Sequence, residues 1–346
     1  MPFRLGIVGC GSIAERHARG AAGSSEVAIV ACADNRLDVA EGWAERQGCE
    51  RAYPDYRSML GGHDLDGVIL ATWPNLHREQ VLGCLEAGVR AILCEKALAL
   101  NASESMEIWS AATNAGALVM EGYMYRRHPA IARIDDLLAA GAIGQVDSVH
   151  AAFSLLDPEE GDPSDPKRDW RQRAECGGGV PYDVACYCVD ACNRFAAGVP
   201  RRAQAVASTS SRYGTVVRLY GLVEYANGKV GMIESSLRSD VNHELRINGS
   251  RGHVRLPIAW RIDHPTDVVH ARSVGWDVFE ETRYPVPVVD AYRLELDGFA
   301  AAARGEASPV PTLTESVITA FTTDALLASA AQGVAVDLDL PEEVLG

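Results

Sequence analysis

The residues best placed to do chemistry stand near the amino terminus. Gly9-Cys10-Gly11-Ser12-Ile13-Ala14 follows the apolar run Arg4–Val8 and leads into a helical pattern, so a GxGxxA turn joins a strand to a helix. Each small residue has its own part: Gly9 takes the tight bend, Gly11 lets backbone approach a pyrophosphate, and Ala14 lets the helix lie close to the sheet. Ser12 and Ile13 open that helix, whose free N–H groups and positive dipole end suit a phosphate. A GxGxxA by itself also describes a plain tight turn. Here an acid, Asp34, ends the second apolar run at the distance a dinucleotide site requires. A carboxylate there accepts ribose hydroxyls and repels a 2′-phosphate, which favours NAD over NADP. Asn35 and Arg36 follow; Arg36 is either a solvated surface arginine or a partner for that phosphate, so NADP stays open.

The elements that must hold this turn are legible as alternation. Short β-rich runs at Arg4–Val8, Val27–Ala33, Gly67–Thr72, Ala91–Glu95 and Ala117–Glu121 are separated by helical patterns such as Asp38–Gln47, Leu76–Ala87 and Ser103–Ala115. Asn101 with Glu104 makes a capping-box start for the last of these. Strand and helix in this rhythm give right-handed crossovers, so residues 1–122 are expected to form a doubly wound α/β Rossmann domain. From 123 to 346 the rhythm changes. A helix (Pro129–Ala140), a strand (Val146–Phe153), a polar loop (Asp157–Glu175) and a helix (Pro181–Ala196) lead into extended segments near Arg202–Ser210, Val216–Tyr225, Gly231–Arg238 and Glu244–Asn248. Asn227-Gly228 between two of them signals a hairpin, and helices at Asp290–Arg304 and Leu313–Gln332 close the chain. The second domain is expected to be α+β with a large, mostly antiparallel open sheet.

Length supports two domains, at about 150 residues each. With 32 basic and 47 acidic residues the net charge is −15, which disfavours nucleic acid or an anionic membrane surface as partner. No apolar run reaches the length of a membrane helix, and the first residues lack the pattern of a signal peptide, so a cytoplasmic protein is expected. The nine cysteines read as reduced, buried thiols. Cys186, Cys188 and Cys192 lack paired metal-ligand spacing, so no metal is expected.

Three further stretches narrow the chemistry: Cys94-Glu95-Lys96-Ala97-Leu98-Ala99, Glu121-Gly122-Tyr123-Met124-Tyr125-Arg126-Arg127-His128-Pro129, and Gly177-Gly178-Gly179-Val180-Pro181-Tyr182-Asp183-Val184-Ala185-Cys186-Tyr187. Together they resemble the Gfo/Idh/MocA oxidoreductases, the relatives of glucose–fructose oxidoreductase and inositol dehydrogenase. The likeness extends to Ile247-Asn248-Gly249-Ser250-Arg251-Gly252. The stretch after Tyr123 and the tyrosine at Tyr187 look most like the branch of dimeric dihydrodiol and xylose dehydrogenases. The resemblance implies oxidation of a secondary alcohol of a sugar, cyclitol or polyol, or reduction of the matching ketone, with hydride passing to or from nicotinamide.

It also implies roles. Lys96 falls on the family lysine nearest the reacting oxygen, where an ammonium can polarise a carbonyl or help take a hydroxyl proton. Asp183 and Tyr187 fall on a helix carrying Asp-x-x-x-His, with Tyr187 in the histidine position; four residues apart, they share a face. A neutral phenol is a poor proton acceptor, and a neighbouring lysine cation improves it. Asp183 would bond the substrate hydroxyl or hold Lys96. The cofactor set extends to Thr72, Trp73, Asn75, His77, Glu95 and Lys96, and to Trp170 and Arg171 in the loop Arg168-Asp169-Trp170-Arg171. The substrate set is Lys96, Tyr123, Trp170, Asp183 and Tyr187. His77 reads as a structural or ribose-side residue. Two positions depart from the family pattern: Ala97 stands where a proline follows the lysine, and Trp73 where a proline is usual, with Pro74 one place later. A homodimer or homotetramer is implied, because the open sheet leaves a face to cover. The rival expectations are a non-catalytic dinucleotide-binding sensor or scaffold, which Ala97 keeps open, and a sugar–sugar oxidoreductase that retains its cofactor.

Overall fold

In the computed structural model, which describes residues 1–157, 169–260, 263–276 and 278–345, the amino-terminal alternation becomes β1 (Phe3–Val8), α1 (Ser12–Ala22), β2 (Val27–Ala33), α2 (Leu37–Gln47), β3 (Arg51–Tyr53), α3 (Tyr56–Gly62), β4 (Gly67–Leu70), α4 (Pro74–Glu86), β5 (Ala91–Glu95), α5 (Ala102–Ala115) and β6 (Leu118–Gly122). The strands are parallel in the order β3-β2-β1-β4-β5-β6. Every residue of β4 and β5 is buried, as expected of parallel strands covered on both faces. Leu5, Ile7 and Leu93 pack on one side with Ala14 and Ala18 of α1 and Trp43 of α2. Val68, Leu70 and Ile92 pack on the other with Met59, Val81 and Ile108 of α3 to α5. Strand order reverses between β1 and β4, and the crevice at their carboxyl ends is where such sheets bind ligands.

The expected cap of α5 forms: Asn101 Oδ1 accepts from the Glu104 amide at 2.9 Å, and Glu104 Oε2 reaches back to the Leu100 amide at 3.1 Å. Strand β3 and helix α3 were not foreseen. Three residues of strand and seven of helix are too short to show a period, although Asp55, whose carboxylate accepts from the Ser58 amide at 2.8 Å, was a readable cap.

After His128 the chain builds α6 (Pro129–Ala139), β7 (Val146–Leu156), a π-helical turn (Pro181–Ala185) running into α7 (Cys186–Ala196), then β8 (Pro200–Thr209), β9 (Val216–Tyr225), β10 (Val230–Ser236), β11 (Arg238–Asn242), β12 (Leu245–Gly249), β13 (Gly252–Leu256), β14 (Thr266–Gly275) and β15 (Val278–Val286). These strands form one sheet in the order β15-β14-β13-β12-β7-β10-β9-β8, extended by β16 (Val336–Asp337), with β11 paired to β7. Only β7 and β10 run parallel among the paired strands described. Gly228, at φ +80°, sits in the expected hairpin turn between β9 and β10. Gly231 brings β10 close under α7, where a Cβ would stand 3.0 Å from that of Cys192. Two expectations are corrected. The helix expected over Pro181–Ala196 opens with i→i+5 bonding, the Cys186 amide donating to the Pro181 carbonyl. Strands β11 and β13 to β16 were missed; β15 (Val278–Val286), mostly exposed, carries no buried alternation to read. Part of the polar loop expected over Asp157–Glu175, Arg168 included, lies outside the described residues.

The chain then makes α8 (Ala291–Ala303), α9 (Leu313–Gln332) and α10 (Glu342–Leu345). It divides into two compact units, Met1–Arg127 with Asp290–Ser316, and His128–Val289 with the residues from Val317 onward. This differs from the single boundary after residue 122, because α8 belongs to the first unit. Leu296, Phe299 and Ala300 complete the core beside β1, with Phe299 edge-on to Phe3 at 6.1 Å. Arg126 is tied to Glu315 at 3.0 Å within the same unit.

Candidate active site

In the first unit, the sequence-predicted dinucleotide residues gather at the carboxyl ends of β1, β2 and β4. Gly9 has φ +89°, and a Cβ on it would lie 2.7 Å from the Ala71 carbonyl oxygen, so both conformation and space demand glycine. Gly11 is different: a Cβ there would meet nothing within 4 Å, which leaves open room over the turn for a pyrophosphate. Ala14 is fully buried against the sheet. No side chain caps α1, so the amides beginning at Ser12 and Ile13 keep their donors for an anion. Asp34 Oδ2 accepts from the Cys10 amide at 3.0 Å and Oδ1 from the Arg36 amide at 3.0 Å, so this acid braces the glycine turn and retains lone pairs for hydroxyls. Exposed Asn35 and Arg36 flank it.

The loop after β4 carries the second group. Thr72 Oγ1 donates to Gln80 at 2.6 Å, and Trp73 is exposed at the start of α4. Asn75 Oδ1 is buried with no protein hydrogen-bond partner among the described residues, an open acceptor at the switch point. His77 is fully buried, Nδ1 facing the Ala97 carbonyl at 2.8 Å and Nε2 the Thr72 carbonyl at 3.1 Å. Burial holds its imidazole below the ordinary value while the two carbonyls pull upward. With both nitrogens turned to backbone, His77 shapes the loop that follows Lys96. The Lys96–Ala97 peptide is cis. Glu95, buried at the end of β5, accepts the Lys96 amide on Oε2 at 3.2 Å and meets His17 Nε2 on Oε1 at 2.8 Å. Lys96 itself is half-buried. Tyr123 is buried, its ring edge-on to Tyr125 at 6.2 Å.

The second unit gathers the others. Asp169 caps the turn Trp170–Gln172, accepting from the Arg171 amide at 2.9 Å. The Arg171 guanidinium lies 5.0 Å from the Trp170 ring centre and donates through Nε to Asp183 Oδ2 at 2.8 Å and through its terminal nitrogen to Asp169 at 3.2 Å. Burial works against the Arg171 charge, but Asp183 and Asp169 outweigh it and leave its pKa raised. Asp183 stands in the π-helical turn and Tyr187 one turn on, both 5% exposed. The Tyr187 ring packs at 5.5 Å from Phe153 and 5.8 Å from Trp260, whose Nε1 donates to the Ala152 carbonyl at 2.7 Å. Trp170, Arg171 and Asp183 are thus brought together, and Tyr187 follows Asp183 one turn along the same helical segment. Asp169, Phe153 and Trp260 are neighbours that sequence reasoning missed. Only Asp169 left a signal, as an Asx cap two residues before Arg171. Among the described residues no cluster of metal-ligating side chains forms, and no helix is long and apolar enough to cross a membrane.

The described turn fits a dinucleotide: glycine space over the helix, free amides, an acid on the second strand and an open acceptor after the fourth. Comparison with known proteins agrees. Residues 3–123 match the model of the oxidoreductase family with an NAD-binding Rossmann fold, and residues 131–255 match the Gfo/Idh/MocA carboxyl-terminal domain. The chain is 31% identical to D-xylose 1-dehydrogenase (NADP(+)) 2 of Haloferax volcanii over 97% of its own length and 99% of that protein's. It is 30% identical to the trans-1,2-dihydrobenzene-1,2-diol dehydrogenase of Mus musculus over 78% of each chain. Its fold matches levoglucosan dehydrogenase in complex with NADH and L-sorbose, with a TM-score of 0.87 at 24% identity, over 99% of this chain and 100% of that one. The chain therefore belongs to the Gfo/Idh/MocA family of NAD(P)-dependent oxidoreductases.

Proposed function

We propose that this enzyme interconverts a secondary alcohol and a ketone on a sugar, cyclitol or related polyol, with Lys96 and Tyr187 handling the proton and Asp183 positioning the substrate. Bound nicotinamide supplies the acceptor or donor for hydride. The amides at Ser12 and Ile13, the open space over Gly11, and Asp34 hold the dinucleotide, with Asn75 as a further acceptor. Lys96 places a cation beside the reacting oxygen, and the Tyr187 hydroxyl gives or takes the proton there. Asp183, held in place by Arg171, positions a substrate hydroxyl. The observation that carries this reading is a buried Asp183, held by Arg171, one helical turn before a buried tyrosine: an arginine-held acid and a phenol on one segment, within a chain of this family.

The relatives that act on D-xylose and on a benzene dihydrodiol set the first substrate panel. Val206, Tyr220 and Leu222 are exposed on the sheet, opposite in alternation to buried Val217, Leu219 and Val223, and support a homo-oligomer closing over them. All nine cysteines are free thiols, in keeping with a reducing cytoplasm.

The test is growth of reduced-nicotinamide absorbance with NAD or NADP and a panel of pentoses, hexoses, cyclitols and dihydrodiols, repeated in reverse with keto-sugars. One responding class is expected. Tyr187→Phe, which keeps the ring packing, should lower kcat by roughly 10²- to 10⁴-fold while Tm stays within ~2 °C. Unchanged turnover in Tyr187→Phe and Lys96→Ala would remove the proton roles. A flat panel despite dinucleotide binding would favour a sensor, and dinucleotide released on denaturing the purified protein would point to the cofactor-retaining sugar–sugar enzyme.

A further inference from the structure

Beneath Lys96 lies a buried group of charges that the proposed reaction leaves unused. Glu95 accepts the Lys96 amide on one oxygen and meets His17 of α1 on the other. His17 is fully buried, edge-on to Tyr292 of α8 at 5.3 Å, and its Nδ1 has no hydrogen-bond partner among the described residues. Glu295, one turn further along α8, is 1% exposed, and neither of its oxygens is hydrogen-bonded within the described residues. The groups facing this cluster are His17 on α1, Glu95 on β5, Arg127 after β6, and Tyr292 and Glu295 on α8, with Arg16 and Arg19 acting on Tyr292. Two carboxylates cannot both stay ionised in such a place without partners for each. Glu95 has two donors; Glu295 has none. Burial first, and then the Glu95 charge, push Glu295 well above the ordinary carboxyl range.

We propose that Glu95 is a positioning residue for Lys96 and that His17 is what holds it: the Glu95 carboxylate, clamped by the imidazole on one side, fixes the backbone from which the lysine leaves the sheet, while Glu295 carries the proton that keeps a single negative charge there. The returning helix α8 thereby takes part in aiming a lysine two hundred positions earlier in sequence, through packing and charge, with no contact to substrate. The inference rests on the reading of Lys96 as the lysine that handles the reacting oxygen.

The test is steady-state kinetics of the full chain, with the sugar that responds best in the panel above, on Glu95→Gln, His17→Leu, His17→Gln and Lys96→Ala. Glu95→Gln and His17→Leu should lower kcat by roughly ten- to a hundredfold, with the sugar KM within about twofold. His17→Gln, whose side-chain amide nitrogen can reach the place of Nε2, should recover most of that loss. Lys96→Ala should lose at least as much as either. If Glu95→Gln and His17→Leu keep full kcat while Lys96→Ala does not, the positioning role is wrong and the lysine's role stands. If Lys96→Ala turns over like the wild type, the lysine's role falls and this inference falls with it. A loss that His17→Gln fails to recover, or that appears only as a lower Tm, marks a purely structural pair and overturns the proposal. Should His17→Leu not fold, Glu95→Gln and His17→Gln, which keep shape and size, decide the matter.

Discussion

Two glycines of one turn make separable predictions. Gly9 is bound by backbone: its φ of +89° and the Ala71 carbonyl 2.7 Å from a would-be Cβ leave no room to relax. Gly9→Ala should therefore cost about 1–3 kcal/mol of stability, read as a lower Tm, whether or not dinucleotide is present. Gly11→Ala meets empty space, so its Tm without ligand should stay within about 0.5 kcal/mol of wild type. The same methyl would occupy the approach of a pyrophosphate, and dinucleotide Kd, followed by nicotinamide fluorescence, should rise roughly tenfold or more, about 1.4 kcal/mol. Equal stability losses in the two variants would contradict this division. Both glycines, Ala14 and Asp34 were legible because their roles are local and their spacing is set by one strand–turn–helix. The clamp of Arg171 on Asp183 was hidden because it joins residues twelve apart through a capped turn, and the His17–Glu95 pair because it spans 78 positions.

At the level of elements, α8 carries a buried acid, Glu295, with no hydrogen-bond donor among the described residues. Below pH about 4.5 the Glu295 carboxyl is protonated in folded and unfolded chains alike. Above that the unfolded chain releases the proton while the folded one retains it, so the stability present at low pH is lost as pH rises toward the folded value. Glu295→Gln fixes the neutral form. Its Tm relative to wild type should climb between pH 5 and pH 8, by at least ~2 °C or about 1 kcal/mol in thermal melts at matched ionic strength. A difference independent of pH would show that Glu295 finds a charge partner. The alternating strands β1, β2, β4, β5 and β6 were readable to within a residue or two, because buried parallel strands are continuous apolar runs. Strand β15 was not, since most of its residues face solvent and nothing but hydrogen bonding to β14 makes it a strand.

Over the whole chain, the feature hardest to read was which residues belong together. Helix α8 has the same amphipathic look as any surface helix, and only its packing reveals that Phe299 and Leu296 finish the core around Phe3 and Leu5. A fragment of residues 1–127 should therefore lack a cooperative melt by circular dichroism and bind a hydrophobic dye, despite containing every strand of the Rossmann sheet. A sharp transition near that of the full chain would refute this.

The order of synthesis gives that discontinuity a further meaning. A nascent chain emerges amino end first, and domains generally fold in that order as they clear the ribosome. Here the dinucleotide-binding unit begins at Met1 but is not complete until residues up to Ser316 have been made. Six strands wait for a helix that arrives only after all but the last short strand of the ten-stranded sheet has been translated. A prematurely terminated product, even one long enough to contain the glycine turn, Asp34 and Lys96, would expose the Phe3 and Leu5 side of its sheet and be a substrate for quality control before it could sequester dinucleotide.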